Sequence, residues 1–250
     1  VVTQEAQTAS AVVSPAKKTL ADVEYRLPST IAPTFQRIHL NIDPDNPTYS
    51  GKTNIDVTVK TPTKKVGFYQ QDLTVTSARL VSGSSSFPLN VTIGEYDINW
   101  GESQNEIAPG KYTLEITFEG KVNTSSDGMY LSRFEETNYI FTQFEDMHAR
   151  KAFPSFDEPN FKIPYQMTIS SPEHQEIVGN TPVEKVTVEN GIKTVVFEKT
   201  KPMPTYLIAY TVGPFDSAEI SGLSVPGKIY VPKGYADKTK LVIKHIPEIL

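Results

Sequence analysis

A carboxylate and an amide two residues apart, Glu145 and Gln143, are the side chains whose types and spacing best suit binding chemistry. In an extended segment, side chains two residues apart project to the same side of the chain. The carboxylate can pair with an ammonium group through a charge-assisted hydrogen bond, and the amide can bind a neighbouring peptide carbonyl. An ion pair of Glu145 with Arg150 or Lys151 is the alternative, and the residues alone leave both open.

Asp157 and Glu158 are adjacent carboxylates, the residue type that general acid–base chemistry uses in pairs. Adjacent side chains usually point apart, and Pro159 indicates a tight turn in which one carboxylate accepts hydrogen bonds from backbone amides. We therefore interpret this pair as structural.

No metal site is predicted within this sequence. It contains four histidines and no His-Glu-x-x-His motif. His245 and Glu248, three residues apart on a predicted helix, have a spacing that metal ligands use. Two polar residues on a solvated helix face are the commoner arrangement, and we favour that interpretation.

These two pairs of candidate residues, at positions 143 and 145 and at positions 157 and 158, lie in one segment, residues 141–161, which we call the central segment. It is dense in charged, aromatic and proline residues, it lacks the alternation of a strand, and Pro154 and Pro159 exclude a regular helix. We predict an ordered irregular segment, pinned by its aromatic side chains, with acidic residues exposed along it. A packed connection between two sheets, with its charges solvated or paired, is the alternative.

Short strands are predicted on both sides of the central segment. Residues 112–120 alternate most clearly between apolar and polar side chains, and Asn190-Gly191 is a strong hairpin signal. Residues 82–86 are predicted to form a loop, and residues 97–99 to lead into a loop of Gly, Glu, Ser and Asn. Strands this short, with frequent turns, favour an all-β fold, an antiparallel saddle-like β-sandwich.

Only the end of the sequence is typical of a helix. Residues 236–250 carry apolar side chains at helical spacing, and that apolar stripe still runs at residue 250. We expect three parts: a flexible lead-in or stalk over residues 1–23, a β domain over residues 24–217, and the start of a further, truncated domain over residues 218–250.

Composition excludes some partners. The net charge is −5 and no basic run exceeds two residues, so a nucleic-acid partner is not expected. No apolar stretch is long enough to span a membrane, so any membrane anchor is expected outside these residues. Cys is absent. Asn90 and Asn123 begin acceptor sequons for glycosylation, which slightly favour the extracellular face of the plasma membrane or secretion.

The central segment resembles the signature of a known family. Thr142-Gln143-Phe144-Glu145, Ala149-Arg150 and the uninterrupted run from Ala152-Phe153-Pro154 to Asn160-Phe161-Lys162 are similar to the amino-terminal domain of zinc aminopeptidases of the aminopeptidase N type. Residues 25–28, 127–130 and 203–209 also resemble that domain, so the resemblance covers residues 24–250. Within the family, the sequence is most similar to the membrane-bound aminopeptidases of insect gut.

The resemblance implies a saddle-shaped β domain followed by a thermolysin-like catalytic domain that removes amino-terminal residues from peptides. Glu145 would bind the α-amino group of the substrate, and Gln143 would line the pocket for its first side chain. Zinc would activate a water and a Glu would act as general base. These groups would lie beyond residue 250, so residues 1–250 alone are predicted to be inactive. Ser155 stands where the family usually has Cys, and we expect it to be buried.

A different class of protein remains as the alternative: a non-catalytic β-sandwich binding module of a cell-surface receptor, with the central segment purely structural. A family member that has lost its zinc ligands is a third reading. A continuation of the chain into Gly-x-Met-Glu-Asn and His-Glu-x-x-His motifs would distinguish the enzyme from both.

Overall fold

The computed structural model describes residues 25–249 of the chain. The flexible lead-in predicted for residues 1–23 lies outside the described residues. Within the described range, no helix is long and apolar enough to cross a membrane. The helical parts of residues 25–249 are three 3-10 helices and α1; their bounds are Ala149–Lys151, Thr205–Leu207, Ala236–Thr239 and, for α1, Lys240–Ile249. The strands, in chain order, are β1 Ile31–Asn41, β2 Thr48–Val59, β3 Thr63–Tyr69, β4 Thr74–Ser82, β5 Ser85–Pro88, β6 Asn90–Ile93, β7 Ile98–Ile107, β8 Gly110–Lys121, β9 Gly128–Phe134, β10 Thr137–Gln143, β11 Tyr165–Pro172, β12 Glu176–Gly179, β13 Val183–Glu189, β14 Ile192–Phe197, β15 Tyr210–Gly213, β16 Phe215–Ile220 and β17 Gly227–Pro232.

The largest sheet has eight strands, in the order β13-β14-β11-β1-β2-β8-β4-β5. Its strands are antiparallel except for one pair, β1 and β11, which run parallel. A parallel pair needs a long connection between its strands, and here all of β2 to β10 intervenes. The prediction of a mainly antiparallel all-β fold is confirmed, with this one parallel contact added.

Two smaller sheets pack against the large one. A three-stranded sheet, β3-β7-β6, shares one apolar core with β2, β4 and β8. A four-stranded sheet, β12-β15-β10-β9, shares a second core with β1, β11 and β14. In β8, Leu114, Ile116 and Phe118 are fully buried while their neighbours face outward, as the alternation over residues 112–120 predicts.

Two loop predictions were wrong. Residues 98–107 form strand β7, and the loop over residues 82–86 is reduced to a two-residue turn between β4 and β5. In β7 two of the inward positions carry Gly101 and Ser103, so the apolar alternation that marks a strand is missing from the sequence. A side chain at position 101 would meet Leu89 at 3.0 Å, and glycine therefore permits this close packing.

The last described residues add a hairpin and a helix, which contact β10 through the Tyr139 and Phe215 rings, with centroids 4.9 Å apart. Strands β16 and β17 pair as a hairpin, and the helix predicted from residue 236 begins as a 3-10 turn before α1. None of the residues of α1 is buried, and Ile249 of its apolar stripe is 79% exposed. The domain boundary at residues 217–218 stays a prediction.

Candidate functional site

The central segment is rigid because its aromatic side chains enter both cores. Phe144 and Phe153 are buried in the core under the four-stranded sheet, with ring centroids 5.7 Å apart. Phe156 is buried in the core under the three-stranded sheet. Between them, residues 149–151 form a 3-10 turn, and Tyr69 and Ser155 exchange backbone hydrogen bonds. The prediction of an ordered segment pinned by its aromatic side chains is confirmed. The prediction of exposed acidic residues along it was wrong for Asp157 and Glu158, which are buried, and residues 141–143 belong to β10.

A buried ion pair fixes the middle of this segment. Arg150 Nε donates to Asp157 Oδ2 at 2.9 Å, and the two side chains are only 7% and 2% exposed. The Arg150 guanidinium stacks over the Tyr69 ring at 4.1 Å, and Thr205 donates its hydroxyl hydrogen to the second Asp157 oxygen. Since an unpaired charge at this depth costs several kcal/mol, we infer that this pair holds the loop in one conformation.

Glu158 is a structural residue, as the sequence indicates. Its Oε1 atom accepts hydrogen bonds from the Leu27 amide at 2.8 Å and from the Tyr69 hydroxyl at 2.9 Å. Burial, reinforced by the nearby Glu158 carboxylate, raises the pKa of the Tyr69 hydroxyl, so this hydroxyl keeps its proton as donor. Asp157 and Glu158 both bind other parts of the fold through hydrogen bonds, so neither is free to act as a general acid or base.

Asp127 binds the second cation of the segment. Its Oδ2 atom forms an ion pair with the Lys151 ammonium, and the Ser125 hydroxyl donates to its other oxygen. The hydrogen bond from Lys151, followed by that from Ser125, holds the pKa of the Asp127 carboxyl below its usual range. Sequence reasoning missed Asp127 because its place follows from the β9–β10 register, which pairs the next residue, Gly128, with Gln143.

Gln143 and Glu145 lie together on the surface. Gln143 is the last residue of β10, and the fully buried Phe144 separates it from Glu145, so the two exposed side chains flank an inward-facing ring. The Glu145 amide donates to the side-chain oxygen of Gln143 at 3.1 Å, and the peptide bond after Glu145 is cis. The structure therefore brings the two predicted site residues into direct contact.

Glu145 does not form the ion pair that was its alternative. Arg150 is held by Asp157, and Lys151 by Asp127. Across residues 25–249, no Lys, Arg or His lies within ion-pair distance of the Glu145 carboxylate. An exposed carboxylate without a protein cation can accept a cation from a ligand.

The remaining candidates have simpler surroundings. Among the residues that the structure describes, no group of three or more His, Asp or Glu side chains could hold a metal ion. His245 Nδ1 and Glu248 Oε2 lie 3.0 Å apart on α1, as an isolated surface pair. Of the two sequon residues, Asn90 is exposed on β6, whereas Asn123 is partly buried and donates its side-chain amide to the Asp127 carbonyl at 2.7 Å.

Several known proteins are similar in sequence to most of this chain. The chain is 30% identical over 234 residues to an aminopeptidase N from Acetobacter pasteurianus, an alignment that covers 90% of the chain and 64% of that protein. It is 32% identical over 226 residues to aminopeptidase M1-D from Oryza sativa subsp. japonica, covering 87% of the chain and 26% of that protein. It is 31% identical over 219 residues to a glutamyl aminopeptidase from Bitis rhinoceros, covering 82% of the chain and 23% of that protein.

The chain thus spans between about a quarter and two thirds of the length of these curated relatives. A family profile described as the Peptidase M1 N-terminal domain matches residues 32–207, which run from β1 through the central segment to the 3-10 helix before β15. The chain belongs to the Peptidase M1 N-terminal domain family.

Proposed function

We propose that this chain is the amino-terminal part of a zinc aminopeptidase that removes amino-terminal residues from peptides. Its own contribution is to bind the free amino terminus of the substrate through Glu145 and to line the pocket for the first side chain with Gln143. The relatives named aminopeptidases support the class of reaction. The narrower likeness to insect gut enzymes stays a prediction from the sequence.

One observation carries the proposal: Glu145 is exposed and has no cation partner within residues 25–249, because Arg150 pairs with Asp157 and Lys151 pairs with Asp127. A merely structural Glu on this segment would be expected to pair with Arg150 or Lys151. Because they pair with Asp157 and Asp127 instead, the Glu145 carboxylate has no counter-charge among the described residues. A substrate ammonium is the matching partner, and its charge-assisted bond to a carboxylate is among the stronger hydrogen bonds.

The position of the carboxylate on a rigid segment explains how an exopeptidase would select its bond. With the ammonium held at Glu145, the first peptide bond lies at a fixed distance from the anchor, and internal bonds have no ammonium to place there. The Gln143 amide, fixed by its hydrogen bond to the Glu145 backbone, would border the first side chain of the substrate. The two residues thus position the substrate and take no proton from it.

The described residues do not fit a zinc site, since they contain no cluster of metal-ligating side chains. Zinc, which would supply an activated water, belongs in this proposal to residues elsewhere in a longer protein. The remainder of the catalytic chain is accordingly the proposed partner, and the uncovered apolar stripe of α1 supports a contact with it. We place the enzyme on the extracellular face of the plasma membrane or in secretions, supported by the exposed sequon at Asn90.

The test compares two substrates of the full-length protein that differ only in the amino group. An aminoacyl amide with a free amine should be hydrolysed in a chelator-sensitive reaction, and its amino-acetylated form should show a kcat/KM lower by at least roughly ten-fold. Equal hydrolysis of both substrates would show that Glu145 does not bind the substrate amine. A full-length protein that hydrolyses neither substrate, even with zinc added, would favour the non-catalytic binding module.

A further inference from the structure

The Lys151 side chain packs against Gly128, the strand partner of Gln143, which is one of the two residues of the proposed amine site. Gly128 pairs with Gln143 across β9 and β10, and a Cβ atom built on Gly128 would lie 3.2 Å from the Cβ of Lys151. The stem of Lys151 therefore packs against the backbone directly opposite Gln143, whose side chain binds the Glu145 amide. A flexible four-carbon stem starting from this point can carry its ammonium toward Glu145.

The backbone of Lys151 is fixed, so only its side chain is free to change partner. The Lys151 amide donates to the His148 carbonyl at 3.1 Å, and the Tyr49 hydroxyl donates to the Lys151 carbonyl at 3.2 Å. The side chain is mostly buried against its surroundings and ends on Asp127. The position of the Lys151 ammonium therefore depends on which carboxylate it pairs with, and in this structure it pairs with Asp127.

Asp127 is itself held in place by a turn. Its carbonyl accepts the Asn123 side-chain amide at 2.7 Å, and its own amide donates to the Ser125 carbonyl at 2.8 Å. The following residue, Gly128, has a positive φ of 67°, and a side chain there would come within 3.0 Å of the Asn123 amide nitrogen. His148 Nδ1 lies 3.7 Å from the same Asp127 oxygen that binds Lys151.

We propose that Asp127 is a positioning residue of the amine site: by pairing with Lys151, it keeps this ammonium away from Glu145 and leaves the Glu145 carboxylate available to the substrate. The inference rests on the proposed function and adds a second carboxylate to it. Asp127 touches no substrate. It acts by holding the Lys151 ammonium, a cation that would otherwise compete with the substrate ammonium for Glu145.

The test replaces Asp127 by its uncharged isostere in the full-length enzyme. Asp127→Asn frees Lys151, and because an exposed ion pair with Glu145 would be weak, KM for a free-amine substrate should rise about two- to five-fold, with kcat within about two-fold of the parent. Adding Lys151→Met removes the competing ammonium and restores the net charge. The double variant should therefore recover the parent KM.

Glu115→Gln is the matched control. It removes a carboxylate that pairs with Arg79 at 2.7 Å on the large sheet, with the same change of net charge, and should leave KM unchanged. A purely structural role for Asp127 predicts that the double variant is no better than Asp127→Asn in KM or in melting temperature.

An unchanged KM in Asp127→Asn, or a double variant that fails to recover, would overturn the inference. Glu145→Gln is measured in the same series to separate the two claims. If Glu145→Gln lowers kcat/KM while Asp127→Asn leaves KM unaltered, only the role of Asp127 fails. If Glu145→Gln itself leaves kcat/KM unaltered, the proposed function fails with it.

Discussion

Replacing Glu145 by Ala in the full-length protein distinguishes a residue that binds substrate from one that only supports the fold. The side chain is exposed, lies two residues after the end of β10, and has no cation partner within residues 25–249. Truncation therefore removes no ion pair from the folded protein and leaves no buried cation unpaired. Any large effect has to arise from a group that is bound only when substrate is present.

The structure gives the expected size of both effects. An exposed substitution of this kind usually changes the free energy of unfolding by less than about 0.5 kcal/mol, so the melting temperature should move by no more than about 2 °C. A hydrogen bond to a charged partner contributes about 1.5–3 kcal/mol. Loss of that bond in the transition state corresponds to a decrease in kcat/KM of roughly ten- to a hundred-fold.

The assay measures kcat/KM and melting temperature on the same preparation, with a free-amine aminoacyl amide as substrate. Glu189→Ala is the matched control, because Glu189 is an exposed carboxylate on the edge strand β13 of the large sheet. The control should change neither quantity. If Glu145→Ala lowers the melting temperature by several degrees while kcat/KM per folded molecule stays within a factor of two, Glu145 is a scaffold residue and the reasoning is refuted.

Three further predictions concern the metal, the buried ion pair and the tyrosines. The 250-residue chain alone should bind no stoichiometric zinc and hydrolyse no aminoacyl amide; elemental analysis checks the first, and chelator-sensitive hydrolysis would overturn the second. Asp157→Asn should lower the free energy of unfolding by about 3–5 kcal/mol, since it removes the buried carboxylate that pairs with Arg150 at 2.9 Å and leaves the more exposed Asp97 at 3.5 Å; a loss below about 1 kcal/mol in urea denaturation would contradict the assigned burial. Burial raises the pKa of four tyrosine hydroxyls above their value in the unfolded chain, so their contribution to stability is complete below pH about 10 and is lost as the pH rises further; these are Tyr49, Tyr69, Tyr165 and Tyr210. Melting temperatures should therefore fall above that pH together with the appearance of tyrosinate absorbance, and a constant melting temperature up to about pH 11.5 would refute this.

The sequence predicts those features that depend on neighbouring residues. The alternation in residues 112–120 places Leu114, Ile116 and Phe118 on one buried face. The order of polar, aromatic and polar residues at 143–145 likewise places the two candidate side chains on the surface with a ring between them. Both patterns indicate on which side of the backbone each side chain lies, and in an extended chain this follows from the local backbone geometry.

Features that depend on distant residues were not predictable from the sequence. Strand β7 carries Gly101 and Ser103 at inward positions, so its burial depends on the size of the opposing Leu89. The choice of Asp127 as the partner of Lys151 depends on the register of β9 against β10. From charge alone, Lys151 or Arg150 could equally have paired with Glu145. The three-dimensional structure shows that they pair with Asp127 and Asp157.

A crystal structure of the full-length protein with a bound amino acid or dipeptide tests the central claim most directly. The account predicts a Glu145 carboxylate oxygen about 2.7–2.9 Å from the α-ammonium nitrogen of the ligand, with Lys151 still on Asp127. A ligand ammonium bound to other groups, with the Glu145 carboxylate paired to a cation of the protein itself, would contradict it.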